Sequence, residues 1–311
     1  MKIAFLGTPD FAVPSLEALI RHGDEIVVFS QPDRPVGRHA VLMPTAVKAA
    51  ALAHGLPVFQ FDKIRSPEGL QALRDACPDL MVTAAFGQLL SAENLAVPRY
   101  GCINVHGSLL PRYRGAAPIQ WAVINGDRVT GVTTMMTDIG MDTGDILLKR
   151  ETEILPDETA GELFTRLSQI GADLLIETID SLLAGTLVRT PQDPSAATKC
   201  SMLKKEDGRI DFTASRQAVH DRVRGVCPWP GAFATLDNGD VIKIWKTSLS
   251  IPADTGRAME PGTCLMDKEG HLCVRCRDGF ICILELQAPG AKRMDATAFL
   301  RGHDISGRRF V

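Results

Sequence analysis

The sequence predicts an α/β protein: a Rossmann-like, doubly wound, mainly parallel sheet, followed by a small C-terminal β-barrel of the OB-like, five-stranded kind. Three observations predict it. Over the first ~150 residues, short apolar runs alternate with amphipathic stretches, the pattern of buried strands and covering helices. Residues 186–200 are rich in Pro, Thr, Ser and Ala and lose all periodicity. Beyond Lys204, one helical pattern and five short strand patterns with turn signals fit a small barrel. A length of 311 residues also favours two domains, because single cores stop growing near ~250–300 residues. On these signals the first domain spans residues 1–188, a linker 189–206 and the barrel 207–311.

The elements follow in order. Lys2–Leu6 reads as a buried strand, and Asp10–His22 as a helix with Leu16, Leu19 and Ile20 on one face and Gly23 as its stop. Glu25–Gln31 is a strand, Pro44–His54 a helix closed by Gly55, and Pro57–Gln60 a short strand. Ser66–Cys77 is a helix with Ser66 as cap and Pro67 at its first position. Asp79–Phe86 and Gly101–His106 are strands, and Pro118–Asn125 a helix. Thr130–Asp138 and Asp145–Glu153 are strands joined by the turn Ile139–Gly144, and Thr159–Ala184 is a long helix interrupted at Gly171. In the second half come a helix, Arg216–Gly225, and strands at Phe233–Leu236, Val241–Thr247, Gly262–Met266, His271–Arg275 and Ile281–Gln287. Asn238-Gly239 and Asp278-Gly279 mark tight turns.

Composition excludes several classes. The chain is 45% hydrophobic and 23% charged, an ordinary globular balance. No run approaches ~18 apolar residues, so no membrane span is expected. The first apolar run is too short for an export signal. Eight scattered cysteines are no disulfide framework, so reduced thiols in a cytoplasmic protein are expected. Charge is unevenly split: residues 1–203 hold 17 Lys and Arg against 23 Asp and Glu, whereas residues 204–311 hold 17 against 14. A basic second half suits a polyanionic partner, and plain surface asymmetry is the alternative.

Three places could carry chemistry. The turn Gly7-Thr8-Pro9-Asp10-Phe11-Ala12 follows the first strand but fails the Gly-x-Gly-x-x-Gly dinucleotide pattern, with proline at 9 and alanine at 12. Cys273 and Cys276 form a Cys-x-x-Cys, but residues three apart on a strand face opposite sides, so they are not expected to share a metal. The third place is richest. Asn104 and His106, two apart at the end of a strand, point to one face. An amide and an imidazole there suit oxyanion stabilisation and proton transfer. A histidine that merely caps the loop is the plain alternative. The glycine-bearing loop Asp138–Asp145 could supply a carboxylate to orient His106. It lacks the spacing and terminal glutamate of a calcium loop.

The segment Asn104-Val-His-Gly-Ser-Leu-Leu-Pro111, with Asp138-Ile-Gly-Met-Asp-Thr-Gly-Asp145 downstream, strongly resembles the 10-formyltetrahydrofolate-dependent formyltransferases. Gly7-Thr-Pro-Asp-Phe11, Gln31-Pro-Asp-Arg-Pro35, Gly115-Ala-Ala-Pro-Ile-Gln120 and Cys227-Pro-Trp-Pro230 extend the resemblance along the whole chain. They are similar to the branch that acts on methionyl-tRNA. The resemblance implies transfer of a formyl group from N10 of 10-formyltetrahydrofolate to the amine of initiator methionyl-tRNA, with no metal. It implies Asn104, His106 and Asp142 as the catalytic set. It implies Ser108, Leu109, Leu110 and Pro111, with Phe86 and Gly87, as the folate-binding set. Arg34 and Arg38 in the Gln31–Met43 loop, with Lys204 and Lys205, are expected on the tRNA side. The loop reads Arg38-His39-Ala40 where related loops often carry a lysine pair. A monomer is expected. Glycinamide or sugar-amine formyltransferases and a non-catalytic RNA-binding protein are the rivals. The basic second half argues against the former, and Asn104, His106 and Asp142 against the latter.

Overall fold

The computed structural model describes residues 1–36, 40–250, 259–267, 269–303 and 305–311. The expectation at Arg38 lies outside these. The chain forms two compact units. The first comprises Met1–Pro118, Thr130–Glu153 and Phe164–Cys200, and the second Ile119–Val129, Ile154–Leu163 and Ser201–Val311.

The first unit is built on a seven-stranded sheet. Its strands are β1 (Lys2–Gly7), β2 (Glu25–Ser30), β3 (Val58–Gln60), β4 (Leu80–Ala84), β5 (Cys102–His106), β6 (Val129–Met136) and β7 (Ile146–Glu153). They lie in the order β7-β6-β5-β4-β1-β2-β3. The pairs β1–β2, β1–β4, β2–β3 and β4–β5 are parallel, and β5–β6 is antiparallel. Ile3, Ala4, Phe5 and Leu6 in β1, and Leu80, Met81 and Val82 in β4, are fully buried. Near-continuous apolar runs are what a parallel strand covered on both faces requires. The winding reverses at β1, between β2 and β4, and ligands of such sheets bind beyond the carboxyl ends at that switch.

Helix α1 (Val13–His22) ends where Gly23 turns left-handed at φ 90°. Helix α2 (Ala46–Ala53) is capped by Thr45, and helix α3 (Pro67–Ala76) by Ser66 with proline in its first turn. Helix α4 (Ala160–Leu183) runs unbroken through Gly171, so the expected interruption is absent. That glycine serves packing: an added Cβ would lie 2.8 Å from Val105 Cγ1 and 3.5 Å from Val132 Cγ1. The helix therefore rides close on β5 and β6. Residues 186–200, aperiodic in sequence, are tied down by polar bonds rather than by an apolar face. Thr190 bridges Ile146, and Lys199–Cys200 pair in parallel with Arg114–Gly115.

The second unit centres on an antiparallel sheet of β8 (Ala232–Thr235), β9 (Val241–Ser248), β10 (Cys264–Met266), β11 (Leu272–Cys276) and β12 (Gly279–Gln287), ordered β8-β9-β12-β11-β10. The chain end joins the two edges: Phe310 bridges Leu236 next to β8, and Arg309 bridges Thr263 next to β10. This closes the barrel and removes free edges. Helix α5 (Arg216–Gly225) carries segments from the first half of the chain. Its Arg224, paired with Asp221, donates to the Glu158 carbonyl at 3.1 Å, and His220 Nε2 donates to the Pro156 carbonyl at 3.1 Å. Among the described residues no helix is long and apolar enough to cross a membrane.

One surface feature makes the first unit pH-sensitive. His22 places Nδ1 2.8 Å from Asp24 and Nε2 3.1 Å from Asp180. The bond to Asp24 raises its pKa above the ordinary 6.5; burial opposes that rise, and the bond to Asp180 adds to it. A raised folded-state pKa stabilises fully below the unfolded value and is lost as pH climbs through the folded one. Thermal unfolding should therefore show a stability loss as pH rises above about 6.5, and His22→Gln should flatten that slope.

Candidate active site

Strand β5 lies between β4 and β6, and its alternation sends Asn104 and His106 to one face at the carboxyl edge. Parallel register sets Thr83 of β4 beside Asn104. The Thr83 hydroxyl donates to Asn104 Oδ1 at 2.9 Å. That bond fixes the amide: its oxygen is held against β4, and its NH2 points away with no partner among the described residues. A pair of amide donors is thereby presented at the sheet edge.

His106 is buried, and its Nε2 lies 3.0 Å from the Tyr113 main-chain oxygen. A carbonyl only accepts, so Nε2 must carry a proton. In the neutral ring Nδ1 then holds the lone pair, and it faces Asp142 Oδ2 at 3.8 Å. This is too long for a direct hydrogen bond, and it becomes an ion pair only when the ring is protonated. Asp142 is itself held: its Oδ2 accepts from Gly115 N–H at 2.8 Å, and its backbone is left-handed at φ 53°. Gly115 has no alternative residue. Its φ is 126°, and a Cβ would fall 2.2 Å from the Cys200 carbonyl.

Gln192, nearly buried, completes the arrangement, and sequence reasoning missed it. Its Nε2 donates to the carbonyls of Asp142 at 2.9 Å and Gly144 at 2.8 Å. Arg114 grips its Oε1 with both Nε and Nη2. The Asp142 loop is therefore held by a residue that reads as linker in the sequence. Asp138 turns inward on its own loop, accepting from Gly140 N–H and the Thr143 hydroxyl. Burial disfavours the thiolate form of the cysteines beside the site. Burial pushes the Cys102 thiol up to about 11, and burial, with Asp142 nearby, raises Cys200.

The other expected site residues fall as follows. Ser108 is fully buried and donates to the Arg112 carbonyl, while the Thr133 hydroxyl bridges Ser108 O and Leu110 N–H. Leu110 packs with Met135 and Ile146, Leu109 is half-buried, and Pro111 follows a cis bond. Ser108–Pro111 is thus a turn stapled to β6. Phe86 packs in the core with Leu6, Phe29 and Met81, and its carbonyl accepts from Thr8 and Gln31. Gly87 turns left-handed at φ 77°. Arg34 opens a short ribbon, Arg34–Val36 against Val41–Met43, and donates to Gln31. Lys204 and Lys205 are exposed in the second unit, next to Glu206 and Asp207.

An open α/β sheet thus carries an oriented amide, an imidazole and a carboxylate together on its carboxyl edge, the place where such sheets bind ligands. The formyl transferase family model matches residues 1–179, and that of the formyl transferase C-terminal domain residues 202–304. The methionyl-tRNA formyltransferase of Ruminiclostridium cellulolyticum is 49% identical over 308 residues, covering 98% of this chain and 97% of its own. That of Geotalea daltonii is 50% identical over 307 residues, covering 98% and 96%. WlaRD, a sugar 3N-formyl transferase solved in the presence of dTDP and 5-N-formyl-THF, shares the fold. Its TM-score is 0.68 at 19% identity, over 94% of this chain and 99% of that one. The chain belongs to the formyl transferase family, in the branch of the methionyl-tRNA formyltransferases.

Two substitutions test the support of this site. Thr83→Val keeps shape but frees the Asn104 amide to rotate. It should lower kcat about tenfold with little change in KM, and Thr83→Ser should restore it. Gln192→Leu should release the Asp142 loop and lower kcat by about 10- to 100-fold, the range typical of supporting hydrogen bonds. Steady-state kinetics on folded variants reads both.

Proposed function

We propose that this enzyme transfers the formyl group of 10-formyltetrahydrofolate to the free amine of initiator methionyl-tRNA, giving N-formylmethionyl-tRNA and tetrahydrofolate. Asn104, His106 and Asp142 carry the transfer. The observation that supports this reading most is the pair of orientations at the sheet edge: amide donors unpaired on Asn104, and the His106 lone pair facing Asp142. Family membership and the names of the relatives support the substrates.

The folate supplies a formyl carbon already activated by its electron-poor nitrogen, so the reading gives the transfer no metal. Asn104 Nδ2 donates to the formyl oxygen as charge develops there. One such donor is worth about 2.7–4 kcal/mol of barrier in a dry, preorganised site. His106 Nδ1 accepts the proton that the attacking amine loses. Asp142 then stands beside an imidazolium and stabilises it, without itself being protonated. With Nε2–H committed to Tyr113, only Nδ1 is free to move that proton. Returning the proton from Nδ1 to the departing nitrogen completes the cycle.

In this reading the turn Ser108–Pro111, together with Phe86 and Gly87, forms the folate side. The stapled turn shapes that wall by its main chain and by half-buried Leu109. Arg34, Arg38, Lys204 and Lys205 contact tRNA, and residues 207–311 form the tRNA-binding module. The enzyme works as a cytoplasmic monomer.

Asn104→Ala and His106→Ala should each lower formyl transfer by two or more orders of magnitude with unchanged thermal unfolding. Wild-type turnover in both variants contradicts the assignment. Replacing Lys204 and Lys205 together with alanine should weaken tRNA binding, leave folate affinity unchanged, and make the salt dependence of tRNA affinity shallower. Each phosphate contact contributes about −0.9 to the log–log slope on a duplex. Titrations at several salt concentrations read the difference.

A further inference from the structure

The outer face of the barrel gathers soft and hard metal ligands that the transfer reaction does not use. We propose that Asp267, His271 and Cys282 form a three-ligand site for a zinc-class divalent cation, with water in the fourth position.

The geometry comes from two neighbouring strand connections. Asp267 directly follows β10, and His271 directly precedes β11. Cys273 on β11 is the register partner of Cys282 on β12. Directly opposed residues of an antiparallel pair share a face. One donor atom each from Asp267, His271 and Cys282 lies within 4.8 Å of the others. His271 Nδ1 and Asp267 Oδ2 are 3.0 Å apart. The Cys273 thiol is turned to the His271 carbonyl, to which it donates at 3.7 Å. Tetrahedral zinc with bonds of about 2.0–2.3 Å needs donors roughly 3.3–3.8 Å apart. Small side-chain adjustments therefore close the set on one ion.

The ligands are also held in place. Asp267 Oδ1 accepts the main-chain N–H groups of Glu269 and His271 at 2.9 and 2.8 Å. This leaves Oδ2 as the oxygen turned toward the His271 ring. Supported ligands of this kind lose little freedom on binding. Beneath them Cys273, Phe280 and Cys282 form a buried cluster with Met259, Leu265 and Leu284 packed against it. That apolar floor excludes water from one side, while His271, 37% exposed, leaves an entry path from the other.

Ligand chemistry selects the ion. Thiolate and imidazole disfavour magnesium and calcium, which take oxygen ligands, and favour zinc. Binding forms bonds from Cys282 Sγ, His271 Nδ1 and Asp267 Oδ2 to the cation, and water takes the fourth position. The Cys282 thiol proton, and any proton on Nδ1, pass to solvent. The bound ion would pin the β10–β11 turn onto β12 and add a cross-link to a small domain. Cys276 takes no part. It pairs in register with Gly279 and lies three residues from Cys273, on the opposite face.

The test is titration of the full, chelator-stripped chain with Co2+ under a phosphine reductant, followed by displacement with Zn2+. The expected result is one equivalent of Co2+ with a thiolate-to-cobalt charge-transfer band and the intense visible bands of tetrahedral cobalt. Cys282→Ser should abolish the charge-transfer band or weaken binding at least tenfold, and His271→Ala, on the exposed turn, should weaken it at least tenfold as well. Cys276→Ser should bind as wild type. Far-ultraviolet circular dichroism identifies any variant that fails to fold, and His271→Ala then decides. The absence of a saturable one-to-one band overturns the proposal. So does a titration that both His271→Ala and Cys282→Ser leave unchanged.

Discussion

The site depends on one short segment, Tyr113–Gly115, of which Arg114 and Gly115 pair as a strand with Lys199 and Cys200. Three consecutive residues each perform a different task there. The Tyr113 carbonyl accepts from His106 Nε2 and fixes its tautomer. Arg114 grips Gln192, which in turn holds the Asp142 loop by two carbonyls. Gly115 N–H holds the Asp142 carboxylate. Tyr113 adopts φ 59°, an unusual conformation for a bulky residue, and its N–H is bonded to the Thr198 hydroxyl. Strain of about 1–3 kcal/mol persists only where surrounding bonds over-determine it. Here they do, and the result is an imidazole and a carboxylate held in fixed orientations.

Preorganisation of this kind explains why the site sits where it does. The carboxyl ends of β1, β4 and β5 share one edge, and the turns leaving them converge. Thr8 from the first turn donates to Phe86 in the second, and Thr83 beneath that turn orients Asn104 on β5. The Ser108–Pro111 turn is anchored to Thr133 of β6 in the same way. Short-range hydroxyl bonds between neighbouring strands thus set the direction of the chemistry-bearing groups. Each is worth only about 0.5–1.5 kcal/mol to stability. For catalysis the direction they impose on a donor counts for more than that energy.

Much of this was legible in the sequence. Apolar runs with period-two and helical spacing located the strands and helices of both units. The alternation at Asn104 and His106 placed two functional groups on one face. Capping residues Ser66, Gly23 and Gly55 located helix ends. Other features depend on contacts between residues far apart in the chain. Gly171 reads as a break by propensity, but packing against Val105 and Val132 keeps the helix whole. Gln192 lies in a Pro- and Thr-rich stretch with no pattern, and only its partners reveal its task. The segments Ile119–Val129 and Ile154–Leu163 read as part of the first half, yet they pack with the second unit through Gly225, His220 and Arg224. Cys273 was legible only as half of a Cys-x-x-Cys, because its partner Cys282 stands on the next strand.

The central claim is that the Tyr113 carbonyl holds His106 as the Nε2–H tautomer, so that Nδ1 is the atom that moves the proton. Two-bond 1H–15N correlation spectra of the labelled full chain read this directly. With seven histidines in the chain, the spectrum of His106→Gln identifies the signal to be followed. At a pH where the ring is neutral, the account predicts the coupling pattern of a protonated Nε2 and an unprotonated Nδ1. A neutral His106 carrying its proton on Nδ1 would contradict it.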